Sequence, residues 1–171
     1  TTKNHIMKFF NALSLSLILF SLAGCAQKPE VTANYQVIPL PQEIAVDSVA
    51  KGFVFDKSTA IAYASDDASM QKNAELLASY LAETTGITPA IKPDATKNAI
   101  ILTDTLTNPN SEAYNITVNS DRIVIDGASS AGTFYGIQTI RKSVAAADSL
   151  KQGAVLFPAA EIYDAPRFAY R

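Results

Sequence analysis

Few residues of this chain are of a type and spacing that could do chemistry. Asp66-Asp67 is the one adjacent pair of carboxylates. Adjacent side chains diverge, and both acids stand at the start of a helical pattern, where a carboxylate satisfies free N–H groups and meets the positive end of the helix dipole. The pair therefore predicts helix capping rather than general acid–base work. Asp126-Gly127 reads as a turn after a strand and Asp164-Ala165-Pro166 as a linker, both structural. Ser129 and Ser130 have no nearby base, because the single histidine, His5, belongs to the leader, and this excludes a nucleophilic triad. One His and one Cys cannot supply the ligands of a zinc site. Gly132 and Gly136 fall inside a helical pattern without the preceding strand and Lys-Ser/Thr of a phosphate loop. No catalytic residue, metal site or cofactor is expected. Arg171 is the exception, since its fork of donors suits paired oxygens. It follows Phe168-Ala169-Tyr170, an apolar run of the kind that continues as a strand. The ending therefore reads as a truncation, with the active site expected beyond it.

Composition bounds the rest. With 171 residues, 48% hydrophobic and 18% charged, the chain is of ordinary size and balance for one globular domain. A formal net charge of −2 provides no basic field for nucleic acid. Trp is absent, which argues against an aromatic platform for stacking sugars.

The N-terminus reads as an address. Met7-Lys8 opens a short basic region, Phe9 to Leu22 is apolar with interspersed Ser, and the stretch closes on Leu22-Ala23-Gly24-Cys25. A charged start, a short apolar stretch and small residues at the end describe a secretory signal. The closing residues resemble a bacterial lipobox, in which the chain is cut before a cysteine that receives lipid. Residues 7–24 are then the signal peptide, Cys25 the lipidation site, residues 25–34 the lipidated cysteine and a flexible tether, and residues 1–6 an upstream extension. Ala26, not Asp, follows the cysteine. That resembles outer-membrane sorting in Gram-negative lipoproteins and implies a cell-envelope location.

The elements that would position any site lie in residues 35–165. Pro39 and Pro41 keep Tyr35 to Ile44 extended. Gly52 to Asp56 and Thr59 to Tyr63 read as short strands. Met70, Ala74, Leu77, Ala78 and Leu81 form one stripe of a helix from Met70 to Thr84, ended by Gly86. Thr88 to Lys92 and Ala99 to Thr103 read as strands, the second buried on both faces. Tyr114, Ile116 and Val118 alternate with polar residues, turn at Asn119-Ser120-Asp121, and return as Arg122 to Gly127, which predicts a β-hairpin. Ser130 is expected to cap a second helix through about Ala146, with Phe134, Ile137, Ile140, Arg141 and Val144 on one side. Gly132 and Gly136 cost helix propensity there, which makes sense if something packs close against that face. Ala154 to Ala159 reads as a last strand. The order predicts an α+β fold, a mixed or antiparallel sheet with two helices on one face.

Three stretches carry a resemblance. Val37-Ile38-Pro39-Leu40-Pro41-Gln42 is similar to the "iiP.P" opening of the N-terminal accessory domain in family 20 glycoside hydrolases, the β-N-acetylhexosaminidases. Ser130 to Ile140 is similar to that domain's last helix, "S..G.fyG.qTL", fixing Gly132, Phe134, Tyr135, Gly136, Gln138 and Thr139 in order. Ile162, Asp164, Pro166-Arg167-Phe168 and Arg171 resemble the segment that leads into the family's catalytic barrel. The resemblance implies an accessory domain packed on a (β/α)8 barrel that is absent here, with residues 166–171 at its start. It implies removal of terminal N-acetylglucosamine or N-acetylgalactosamine from glycans by a retaining, substrate-assisted mechanism, one of the exceptions to the two-carboxylate rule. The Asp-Glu pair of that mechanism is expected beyond residue 171, so the chain alone should be inactive. Arg171 is implied to bind hydroxyls of the terminal sugar, and Arg167 to be a structural partner to acids at the domain junction. The alternatives are a lipid-anchored scaffold that ends at residue 171, and an accessory domain that itself binds glycan.

Overall fold

The computed structural model describes residues 31–63, 66, 68–144 and 153–166. In chain order the elements are β1 (Val31–Thr32), β2 (Glu43–Val46), β3 (Phe53–Phe55), β4 (Ala60–Tyr63), α1 (Ala68–Thr85), β5 (Ala90–Ile91), β6 (Ala99–Thr103), β7 (Tyr114–Val118), β8 (Arg122–Gly127), α2 (Ser130–Val144), β9 (Val155–Phe157) and β10 (Ala160–Asp164). A mixed seven-stranded sheet runs β2-β10-β7-β8-β6-β4-β5, and a separate three-stranded sheet runs β1-β9-β3.

The alternation in β7 and β8 becomes the centre of the large sheet. Tyr114, Ile116, Val118, Ile123 and Ile125 are buried under the helices, while Asn115, Thr117 and Val124 between them are half-buried. The turn is written by Asn119, whose side-chain oxygen accepts the N–H groups of Asp121 and Arg122 at 2.9 and 3.0 Å. β6 pairs in parallel with both β4 and β8. Ile100 and Leu102 are fully buried, but Ile101, on the other face, is only half-buried. The expected double burial of β6 holds on one side alone.

Both helices lie on one face of the large sheet and touch each other. α1 buries Met70, Ala74, Leu77 and Leu81 and stops at Gly86, which takes the left-handed φ of 69° while its N–H closes on the Ala82 carbonyl at 2.9 Å. Asp66 stands just ahead of α1, and Asp67 lies outside the described residues. The cap of α2 is Ser129, not Ser130: its hydroxyl accepts the Ala131 N–H at 3.1 Å and its carbonyl the Thr133 N–H at 3.0 Å. Arg141 does not join the buried side of α2. It is exposed and lies over the Tyr80 ring, 4.1 Å from its centroid.

Three stretches differ from the sequence reading. Val31–Thr32 falls inside the expected tether but pairs with β9, so the folded domain begins ahead of residue 35. Most of Tyr35 to Ile44 is irregular, with a cis Ile38–Pro39 bond, and only its end enters β2. The expected linker before Pro166 is β10, a central strand between β2 and β7. Pro158 separates it from β9 and hides a second strand behind the first.

Candidate functional site

Of the residues singled out for function, Arg171, Arg167 and Cys25 lie outside the described residues. What the fold does build is the place from which the chain leaves the sheet toward Arg171. β10 pairs with β2 up to Tyr163 and with β7 up to Asp164, which lies opposite Tyr114. Beyond it, Asn110 Nδ2 donates to the Pro166 carbonyl at 3.0 Å and Gln42 Nε2 donates to the Ala165 carbonyl. Asn108 Nδ2 donates to the Tyr163 hydroxyl at 3.1 Å, while its own side-chain oxygen takes the Asn110 N–H at 2.9 Å. The exit is thus held by side-chain amides from two loops, at the end of a strand paired on both sides. Sequence reasoning missed Gln42, Asn108 and Asn110, because single polar residues in loops carry no periodicity.

Beside the exit, a cavity of about 260 Å³ opens between the Val37–Pro39 segment, α2 and the end of the large sheet. Tyr114 and Thr139 bridge its floor, their hydroxyls 2.7 Å apart. Lys142 Nζ donates to the Ile38 carbonyl at 2.7 Å and pins the segment to α2. Gln138 Nε2 is buried with no hydrogen-bond partner among the described residues. Asp164 is the one carboxylic acid among the lining residues. A second, more open groove is formed by Leu40, Pro41 and Gln42 against Ala165 and Pro166. Leu40 is 59% exposed there, and Ile38, just upstream, is 87% exposed.

Three further acids have structural partners. Asp126 accepts from the hydroxyls of Thr103 (2.7 Å) and Thr105 (3.1 Å) and from the Thr105 N–H (2.8 Å), tying β8 to the loop after β6. The Asp47 carboxylate takes the N–H groups of Ala50 and Val49, which hold its pKa below the usual value. Glu161 accepts from Thr117 at 2.8 Å. Among the described residues, no group of three or more His, Cys, Asp or Glu could hold a metal ion, and no helix is long and apolar enough to cross a membrane.

Residues 34–165 match the family model described as glycosyl hydrolase family 20, domain 2, which is most of the chain and ends at the exit just described. The chain belongs to glycosyl hydrolase family 20. A family 20 accessory domain accounts for the two helices over a mixed sheet and for the last strand that hands the chain on. The match extends along most of this chain in individual relatives. A β-hexosaminidase of Porphyromonas gingivalis is 29% identical over 165 residues, covering 90% of this chain but 21% of that protein. A family 20 β-N-acetylhexosaminidase from Streptomyces coelicolor superposes with a TM-score of 0.68 at 23% identity, covering 80% of this chain and 27% of that one, a likeness of fold alone. A mutant Streptomyces plicatus β-hexosaminidase in complex with its product GlcNAc gives a TM-score of 0.67 at 25% identity, with the same coverage. This chain therefore spans about a fifth to a quarter of the family 20 proteins it resembles here.

Proposed function

We propose that the chain is the N-terminal part of a secreted, lipid-anchored β-N-acetylhexosaminidase. The protein would hydrolyse terminal non-reducing N-acetylglucosamine or N-acetylgalactosamine from glycans. The observation that carries the reading is the accessory-domain match over residues 34–165, which ends where the structure fastens Ala165 and Pro166. In this reading a catalytic barrel follows residue 171 and packs on the exit side, covering Leu40 and Ile38. The sugar's own acetamido oxygen attacks the anomeric carbon, oriented by an Asp, while the neighbouring Glu protonates the leaving oxygen with retention. Both acids belong to the barrel. Arg171 offers its donor fork to hydroxyls of the terminal sugar. The anchor is lipid on Cys25, and the location the outer membrane of a Gram-negative envelope.

The test compares the full-length protein with the 171-residue chain on 4-nitrophenyl N-acetyl-β-glucosaminide. The full-length protein should release nitrophenol and the short chain none. A full-length protein without turnover on glucosaminide and galactosaminide alike sinks the proposal. Turnover by the short chain would show that the acids had been misassigned.

A further inference from the structure

The strand register gives the domain two distinct ends. Val31 stands beside Val155, whose other neighbour is Phe55. Phe55 runs directly into the turn that leads to β4. Asn98 ties that turn to the β7–β8 turn, its side-chain amide donating to Ser58 Oγ at 2.8 Å and its N–H to the Asp121 carbonyl at 2.7 Å. The Asn34 N–H reaches the Ser143 carbonyl at 2.9 Å, in the last turn of α2, so the chain after β1 is fastened at the same end. Asp164 pairs with Tyr114, the residue of β7 furthest from the β7–β8 turn. The start of β1 and the exit therefore lie at opposite ends of the strands. β10 alone covers roughly 13 Å of that separation, at about 3.3 Å per residue.

We infer that in the lipid-anchored protein the β1 end of this domain faces the membrane and the Asp164–Pro166 end points away from it. The domain then acts as a stand-off that holds whatever follows Pro166 on the membrane-distal side. The inference rests on the proposed lipid at Cys25. Granted that anchor, the chain from Cys25 to Val31 reaches at most about 20 Å even when fully extended. Pairing of Val31–Thr32 with β9 keeps the following residues from lengthening it. That reach is shorter than the diameter of a domain of this size, about 35 Å. The exit end therefore cannot be turned onto the bilayer with β1 uppermost. Near β1 the exposed side chains include Lys57, Lys97 and Asp121, compatible with a headgroup layer. Exposed apolar side chains occur at both ends, Val46 opposite Ala160 with Val49 just after it, and Leu40 beside the exit, so the direction rests on the reach of the tether.

The experiment uses the full-length lipidated protein in phosphatidylcholine–phosphatidylglycerol vesicles that carry a nitroxide-headgroup lipid as quencher. A fluorophore is placed at either end through Lys57→Cys or Thr107→Cys, both exposed positions. The label at position 57 should be quenched at least about twofold more than the label at 107, and about twenty Gly/Ser residues inserted between Glu30 and Val31 should abolish the difference. Mass analysis of the Cys25 peptide is made on the same sample. Acyl groups on Cys25 with equal or reversed quenching overturn the orientation alone. A Cys25 without acyl groups overturns the anchor, and the orientation with it. A difference that survives the insertion also overturns the inference, because the short tether would not be its cause.

Discussion

A Cβ placed on Gly132 would lie 2.2 Å from the carbonyl oxygen of Ala113. The first turn of α2 therefore rests directly on the backbone that leads into β7, with no side chain between them. Gly136, one turn on, is under the same pressure from a side chain: its Cβ would meet Ile125 Cγ2 at 2.5 Å. The close-packed surface that these glycines require is thus the domain's own sheet.

Two effects oppose each other at Gly132, and the sign of the result is informative. Helix propensity alone would make Gly132→Ala stabilising by about 1 kcal/mol. Contact with a backbone carbonyl that cannot swing aside should reverse this, for a net loss of about 1–3 kcal/mol. Gly136→Ala should lose less, because the obstructing atom ends a side chain. Urea denaturation of the three proteins ranks them, and a Gly132→Ala variant more stable than its parent would refute the close approach.

The hydroxyls of Tyr114 and Thr139, 2.7 Å apart and buried, join the hairpin to the middle of α2. Removing either hydroxyl deletes this buried bond, at a cost of about 1 kcal/mol. The double variant Tyr114→Phe/Thr139→Val should cost less than the sum of Tyr114→Phe and Thr139→Val, with a coupling of about 1 kcal/mol in a double-mutant cycle. Additive losses would mean that the two hydroxyls do not act as a pair.

The hairpin and the helices were legible because their patterns are local. Tyr114-Asn115-Ile116-Thr117-Val118 alternates over a full strand, and the stripe from Met70 to Leu81 repeats over several turns. β1 and β10 were not legible, for physical reasons that differ. Two residues, Val31 and Thr32, carry no period, and their strand exists only because β9 is there to pair with. β10 has a good alternation, with Ala160 and Ile162 buried and Glu161 exposed, but it begins just past Pro158 and runs into Pro166, and prolines read as linker. The α2 cap was misplaced by one residue, since Ser129 and Ser130 have the same chemistry and backbone geometry decides between them. Arg171 and Cys25 are expectations from motifs and lie outside the described residues, whereas the amides of Gln42, Asn108 and Asn110 that hold the exit came only from the structure.

Tyr35 provides a pH test of the β9–β10 junction. Its hydroxyl donates to the Pro158 carbonyl at 2.7 Å, and burial pushes the phenol well above its ordinary value near 10. The raised folded pKa means that the unfolded chain loses this proton first. The contribution to stability is therefore complete below about pH 10 and declines as pH rises beyond that. Tyr35→Phe should cost about 1 kcal/mol at neutral pH. It should also flatten the fall in melting temperature between about pH 9 and 11 relative to the parent. Parallel alkaline profiles would show that another group governs that limb.

Arg171 tests whether the exit leads where the proposal says. A guanidinium presents two parallel donors to neighbouring hydroxyls, and an ammonium is a single point charge. In the full-length protein, loss of hydrogen bonds from a charged donor should cost about 1.5–3 kcal/mol. Arg171→Ala should then lower kcat/KM on 4-nitrophenyl N-acetyl-β-glucosaminide by roughly 10- to 150-fold. Arg171→Lys should recover only part of the loss, because it restores the charge without the fork. Thermal stability should stay within about 0.5 kcal/mol of the parent in both variants, which separates sugar binding from support of the fold. An Arg171→Ala protein with unchanged kcat/KM would make this arginine a surface residue. Equal activity of Arg171→Lys and parent would mean that charge, not the paired donors, is what the site uses.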